Sequence, residues 1–81
     1  MPVTYLKTVA ILPPHVEQEE AEALLQWLEE GGRRKINLKE CERVHGAVLQ
    51  VLMAKRPTIS VEPSDEEVRA WLMPAIQGAA G

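Results

Sequence analysis

The sequence predicts a small α/β domain whose strands and helices follow the order β-α-β-α-β-α. Two hydrophobic patterns alternate along the 81 residues. Short runs rich in β-branched residues are followed by longer segments in which apolar residues recur every three or four positions. Strands that alternate with helices are typical of parallel pairing, so we expect a mostly parallel sheet of three or four strands with helices packed against it.

The length leaves room for one domain with one hydrophobic core. The composition, 46% hydrophobic and 26% charged, is that of an ordinary globular protein and not of a disordered or fibrous one. We therefore assign residues 1–77 to a single domain and residues 78–81, Gly-Ala-Ala-Gly, to a flexible tail.

The first strand and helix are separated by two prolines. Residues 3–12 read as one strand, or as an edge strand that runs into a buried one, and Pro13 and Pro14 end it because proline donates no ladder hydrogen bond. A helix is expected from about Val16 to Glu30, since its apolar residues share one stripe: Ala21, Leu24, Leu25 and Leu28. Gly31-Gly32 should end this helix in the left-handed conformation.

The second half of the chain repeats the pattern. A short strand over 34–38 precedes a helix from about Val44 to Lys55, which is apolar most of the way round. Such a helix is either largely buried or presents a second surface to a partner. Residues 58–61 form the next strand, and Ser64 and Glu67 form a capping box that begins the third helix. Pro74 should end that helix near Met73 or kink it.

Charge and cysteine content exclude several classes of protein. The formal net charge is −3, and the basic runs Arg33-Arg34-Lys35 and Lys55-Arg56 are short, so we expect solvated loops that complement helix dipoles and no nucleic-acid binding. Cys41 is the single cysteine, so no internal disulfide forms. Because the sequence has neither a signal-peptide pattern nor a long apolar stretch, we expect a cytoplasmic protein without membrane contact.

The residues that bear reactive groups do not converge in a pattern typical of enzymes. His15, His45 and Cys41 lack zinc-site spacing, so no metal or cofactor is expected. A Cys41–His45 nucleophile pair is a weaker interpretation than a semi-buried packing cysteine, although the following helix dipole could lower the thiol pKa. Trp27 and Trp71 extend helical stripes, which favours core packing and leaves an interface role open.

The segment 36–54 resembles the centre of STAS domains, the fold of anti-sigma-factor antagonists and of related modules in chemotaxis operons. The matching features are Leu49-Gln50-Val51-Leu52 in the second helix and Leu24 to Leu28 in the first. His45 stands where the family usually has Asp, and Gly46 stands where the phosphorylatable Ser or Thr lies. Because glycine has no hydroxyl, serine phosphorylation cannot operate at that position.

The resemblance implies a non-enzymatic regulatory protein-interaction module. Its partner would be a signalling kinase, an anti-sigma-like protein or a scaffold, bound through the second helix and the loop before it. The residues that we expect on this surface are Cys41, Glu42, His45, Gly46, Leu49, Gln50 and Met53. Two alternatives stay open: a phosphocarrier that uses His45, and a homodimer or assembly subunit that pairs through a sheet edge or the second helix. Gly46 could instead only allow close packing of helix and sheet.

Overall fold

The computed structural model describes residues 2–77 and shows a mixed α/β fold. In this range the main sheet has four strands in the order β1 (Thr4–Tyr5), β2 (Val9–Ile11), β4 (Lys35–Asn37), β6 (Thr58–Val61). A second, two-stranded sheet consists of β3 (His15–Val16) and β5 (Arg43–Val44). The helices are α1 (Glu20–Glu30), α2 (Gly46–Lys55) and α3 (Glu66–Gln77).

The predicted alternation of strands and helices is confirmed, and the sheet is mostly parallel. Strands β2, β4 and β6 pair in parallel, with α1 and α2 as the connections between them. The first strand differs from the prediction, because residues 3–12 fold back as a hairpin in which β1 pairs antiparallel with β2. The backbone N–H of Leu6 donates to the carbonyl of Val9 (2.8 Å) and closes this turn.

The hydrophobic core lies between one face of the main sheet and the helices. Residues that pair across neighbouring strands share a face, and one such row is Ala10, Ile36 and Ile59. Ala10 and Ile36 are fully buried, as are Val48 and Leu52 of α2. Because α2 contacts both α1 and α3, it is the central one of these helices.

The small β3–β5 sheet shortens both predicted helices at their amino-terminal ends. Val16 is buried, as an apolar helix residue would be, but it pairs with Val44 in parallel strands, so α1 begins at Glu20 and not at Val16. His15 accordingly lies in strand β3. The backbone N–H of His45 extends the pairing by donating to the carbonyl of Val16 (2.9 Å), and α2 begins only at Gly46.

The end of α1 is at the predicted glycines but has a different conformation. Gly31 has φ −111° and ψ 144°, which is extended backbone, so the expected left-handed cap is wrong. A Cβ atom at Gly31 would collide with the side chain of Arg34. A side chain at position 31 would therefore force the Arg34 side chain to move, because that side chain lies directly against the main chain.

The cap and the end of α3 also differ from the prediction. The Asp65 carboxylate accepts from the backbone N–H groups of Glu67 (2.9 Å) and Val68 (3.2 Å). The Ser64 hydroxyl instead donates to the carbonyl of Lys39 (2.8 Å), so the expected Ser64–Glu67 capping box is wrong.

The third helix continues through Pro74 to Gln77. Met73 and Ile76, on either side of this proline, are both buried, and their packing offsets the one helical hydrogen bond that proline cannot donate. Over residues 2–77, no helix has the length and apolar character needed to cross a membrane. The predicted tail, 78–81, lies outside the described residues.

Candidate functional site

Of the predicted partner-binding residues, Met53 lies in the last turn of α2. The other six lie where strand β4 leads through β5 into the first turns of α2. This is the carboxyl-terminal edge of the parallel strands, where α/β proteins commonly bind their ligands. Five of the seven residues are exposed and Leu49 is half-buried, whereas Cys41 is buried. The exposed residues are Glu42, His45, Gly46, Gln50 and Met53.

His45 is the N-cap of α2. Its backbone is extended (φ −60°, ψ 145°), and its imidazole Nδ1 accepts from the backbone N–H of Ala47 at 3.0 Å. The carbonyl of His45 accepts the first helical bond, from the N–H of Leu49 (3.0 Å). The ring is thus fixed at the beginning of the helix, and Nε2, which carries the ring proton when Nδ1 accepts, is left to donate to a partner.

Gly46 follows this cap in an exposed position. A Cβ atom built there would have no neighbour within 4 Å among the described residues. The interpretation that Gly46 only allows close packing between helix and sheet is therefore wrong. Larger side chains fit without steric clash, which makes this position suitable for testing by substitution.

One face of α2 is exposed and uncharged. Val48 and Leu52 point into the core, and Leu49 and Val51 are half-buried at the sides. The exposed residues of the opposite side, which we name the α2 outer face, are Gly46, Gln50, Met53 and Ala54. Met53 is the large apolar residue of this face, and 44% of its surface is exposed. The helix is therefore not buried on all sides, and the role of its exposed side stays a prediction.

Cys41 lies beneath this region as a packing residue. Its side chain is 1% exposed, and its backbone N–H donates to the carbonyl of Leu38 (3.0 Å). Burial, together with the negative charge of Glu42, raises the pKa of the thiol from 9.0 to about 11. The expectation that the helix dipole lowers this pKa is wrong, because desolvation dominates. A buried thiol is also not available for direct contact with a partner.

Alkylation should reveal the burial of Cys41. We expect iodoacetamide to modify native protein at pH 8 at least about a hundredfold more slowly than urea-unfolded protein, since two pKa units lower the thiolate fraction about a hundredfold. Because the pKa is higher in the folded state, the unfolded chain loses its proton first as the pH rises. Stability is therefore retained below pH 9.0 and declines toward about pH 11.

For the dependence of stability on pH, the matched control is Cys41→Ala. Tyr5, whose pKa is also raised by burial and by Glu20, weakens the fold in the same direction at high pH. In this variant, the decline in stability at high pH that Tyr5 causes should remain, and the decline that Cys41 causes should be absent. Equal alkylation rates in native and unfolded protein would contradict the buried position.

The second histidine, His15, lies beside Glu42 of the predicted partner-binding residues. His15 Nε2 is 4.0 Å from a carboxylate oxygen of Glu42, and both side chains are mostly exposed, so this contact adds little stability. In the part of the chain that the structure describes, no group of three or more His, Cys, Asp or Glu residues is arranged to hold a metal ion.

The two tryptophans have different environments. Trp27 is half-buried, with its ring 5.5 Å from that of Tyr5 and with the Arg34 guanidinium 4.7 Å from its ring centroid. Trp71 is 46% exposed, so the prediction of core packing is wrong for this residue. It lies on α3, away from the buried stripe of Val68, Leu72 and Ile76.

A basic cleft at the opposite edge of the sheet was not predicted. The loop after α1 and the loop after α2 enclose a cleft of about 400 Å³ with five cationic residues, Arg33, Arg34, Lys35, Lys55 and Arg56. Both basic runs come directly after a helix and before a parallel strand. The β-α-β-α-β order therefore already placed them at one edge, but each run was interpreted separately as a solvated loop.

The chain has no significant match among protein-family models, among curated proteins or among solved structures.

Proposed function

We propose that this chain is a non-enzymatic, STAS-like regulatory module that binds a partner protein through the α2 outer face. The observation that carries the proposal is the exposure of this uncharged surface on the central helix. Residues 46–54 contain no charged side chain, although 26% of the whole chain is charged. A helix side that faces water ordinarily carries charged residues, so an uncharged exposed side favours a docking role.

The side chains of this surface suit protein recognition. Met53 is long, flexible and polarizable, which lets it adapt to an apolar partner pocket. Gln50 offers both a donor and an acceptor beside it. The first turn of α2 has no acidic residue, whereas those of α1 and α3 have two each. A partner carboxylate would therefore meet the positive end of the α2 dipole without repulsion.

The absence of a hydroxyl at Gly46 distinguishes this module from STAS proteins that are switched by a serine kinase. Partner capture in this proposal is not controlled by phosphorylation at that position. Regulation would instead follow from the amount of partner, such as a signalling kinase, an anti-sigma-like protein or a scaffold, and from competition for the same surface.

Affinity purification from an extract of the producing cell tests the proposal. Met53→Glu and Gly46→Asp should each lower the yield of the specific partner at least about tenfold, since a buried unpaired charge costs more than about 1.4 kcal/mol. Leu6→Glu is the matched control, because Leu6 is 52% exposed but lies in the β1–β2 turn. It should capture as much partner as the wild type.

His45 provides a second pair of variants. His45→Ala removes the N-cap, whereas His45→Asn keeps a cap acceptor while removing the ring. If the partner contacts the imidazole ring, both variants should fail to capture it. If His45 acts only as a helix cap, His45→Asn should capture the partner and His45→Ala should not. The proposal is wrong if every retained protein binds the α2 variants and the wild type equally, provided that circular dichroism shows all variants folded.

Assembly through the sheet is a second candidate function, and the position of β6 favours it. This strand is at the edge of the main sheet, and Val61 at its end is 38% exposed. A second copy could pair with this edge. Light scattering at several concentrations distinguishes the candidates, because concentration-dependent dimers that persist in Met53→Glu would favour pairing through the sheet.

A further inference from the structure

The basic cleft concentrates positive charge in an otherwise acidic protein. Five of the nine Lys and Arg residues line it, whereas the other four share the rest of the chain with eleven of the twelve acidic residues. The carboxyl-terminal ends of α1 and α2 lie at the cleft, and each carries about half a negative charge. Together with Glu29, whose carboxylate is 3.0 Å from Lys55 Nζ, they offset about two of the five positive charges. A net positive charge remains at the cleft.

The cleft contains cations that no carboxylate neutralises. Within residues 2–77, Arg33, Lys35 and Arg56 have no carboxylate oxygen within 4.0 Å. One cation at each helix end is enough to complement the dipole, so the two helix dipoles do not explain why five cationic residues line the cleft. The remaining positive charge is available to an anion from solution.

Arg34 is held in place before any ligand arrives. Its Nη1 donates to the carbonyl of Trp27 (2.6 Å), and its guanidinium lies over the Trp27 ring. Gly31 leaves the space that the Arg34 side chain occupies. A guanidinium has five N–H donors, and the bond to Trp27 uses one of them. Arg34 can therefore direct further donors at an anion without losing side-chain freedom on binding.

Arg56 occupies a backbone position that favours glycine. Its φ is 46° and its ψ is 55°, the left-handed conformation, and its N–H donates to the carbonyl of Leu52 (2.8 Å) to cap α2. Among the non-glycine residues described by the structure, it has the one positive φ. An arginine in this conformation is strained, and strained residues concentrate at binding sites.

The shape and surroundings of the cleft favour a compact ligand. A nucleic-acid strand would extend beyond this edge over acidic surface, where phosphates are repelled. A diphosphate group places several negative charges and many acceptor oxygens within a small volume. An arginine guanidinium can donate two parallel hydrogen bonds to a pair of these oxygens. Gly31, Gly32 and Thr58 also line the cleft.

We propose that the basic cleft binds the diphosphate group of a small molecule. The site is formed by the loops after α1 and α2, and it shares no residue with the α2 outer face, although Ala54 of that face directly precedes Lys55 of the cleft. A nucleoside diphosphate and free pyrophosphate share this chemistry.

Isothermal titration calorimetry with inorganic pyrophosphate and with ADP tests the proposal. The wild type should bind pyrophosphate with saturable, one-to-one stoichiometry, and the affinity should fall as salt rises. Arg33→Ala and Arg56→Gly should each weaken binding about tenfold, as expected for loss of a charge-assisted hydrogen bond. Arg56→Gly suits its backbone conformation, so its loss of binding is not a folding defect.

The controls remove cations elsewhere on the surface. Lys7→Ala and Arg69→Ala change exposed residues outside the cleft and should bind pyrophosphate as the wild type does. Tighter binding of ADP than of pyrophosphate identifies a nucleotide as the source of the diphosphate, and equal binding identifies the diphosphate alone. The proposal is overturned if pyrophosphate does not saturate, if the control variants lose as much affinity as the cleft variants, or if a single-stranded oligonucleotide binds the same residues more tightly.

Discussion

Leu52→Ala is expected to lower the free energy of unfolding by about 3 kcal/mol, because it removes a fully buried side chain and leaves a cavity. Leu52 lies on the central helix, and α2 contacts both other helices. Neighbouring side chains cannot collapse into the space without moving one of these contacts. Urea unfolding followed by circular dichroism measures the loss as a lower midpoint with little change in slope.

Met53→Ala is the matched control for this experiment. The two residues are adjacent and of similar size, but Met53 is 44% exposed. Its truncation should change the stability by less than about 1 kcal/mol, as is usual for exposed positions. A helix rotated by one residue would bury Met53 and expose Leu52. A larger loss of stability in Met53→Ala than in Leu52→Ala would therefore contradict both the fold and the α2 outer face.

The overall order of elements was predictable from the sequence because it depends on hydrophobic periodicity. Strand β6 was predicted with its observed bounds, since Pro57 precedes it and alternating residues define it. The second sheet was not predictable in this way. His15–Val16 and Arg43–Val44 are strands of two residues, too short to show a period, and they form only because the loops after β2 and β4 meet in space.

The candidate site was predictable in position but not in detail. The sequence analysis placed the site on α2 and the loop before it, and most of the expected residues are exposed there. The sequence could not tell which side of an almost wholly apolar helix faces water. It also could not show that Arg34, seven residues after Trp27, would return to its carbonyl and stack on its ring. Such contacts depend on the loop conformation and not on periodicity.

Gly31 and Arg34 should be strongly coupled in stability. In the wild type, Gly31→Ala places a methyl group where the Arg34 side chain lies, so the guanidinium must leave Trp27. The lost hydrogen bond and cation–π contact should destabilise the protein by about 1–2 kcal/mol. In an Arg34→Ala background the obstacle is gone, and alanine suits the extended backbone of Gly31. There the same substitution should stabilise the fold by about 0.5 kcal/mol, because alanine restricts the unfolded chain.

A double-mutant cycle measures this change of sign. Four proteins, the wild type, Gly31→Ala, Arg34→Ala and the double variant, are unfolded in urea, and a coupling energy of about 2 kcal/mol is expected. Trp27 fluorescence reports the same event, since the indole loses the guanidinium above its ring in each variant. If Gly31→Ala were equally destabilising with and without Arg34, its effect would come from the backbone alone, and the contact among Gly31, Trp27 and Arg34 would not be the reason for glycine at this helix end. Additive effects would also remove the argument that Arg34 is fixed in the basic cleft before a ligand binds.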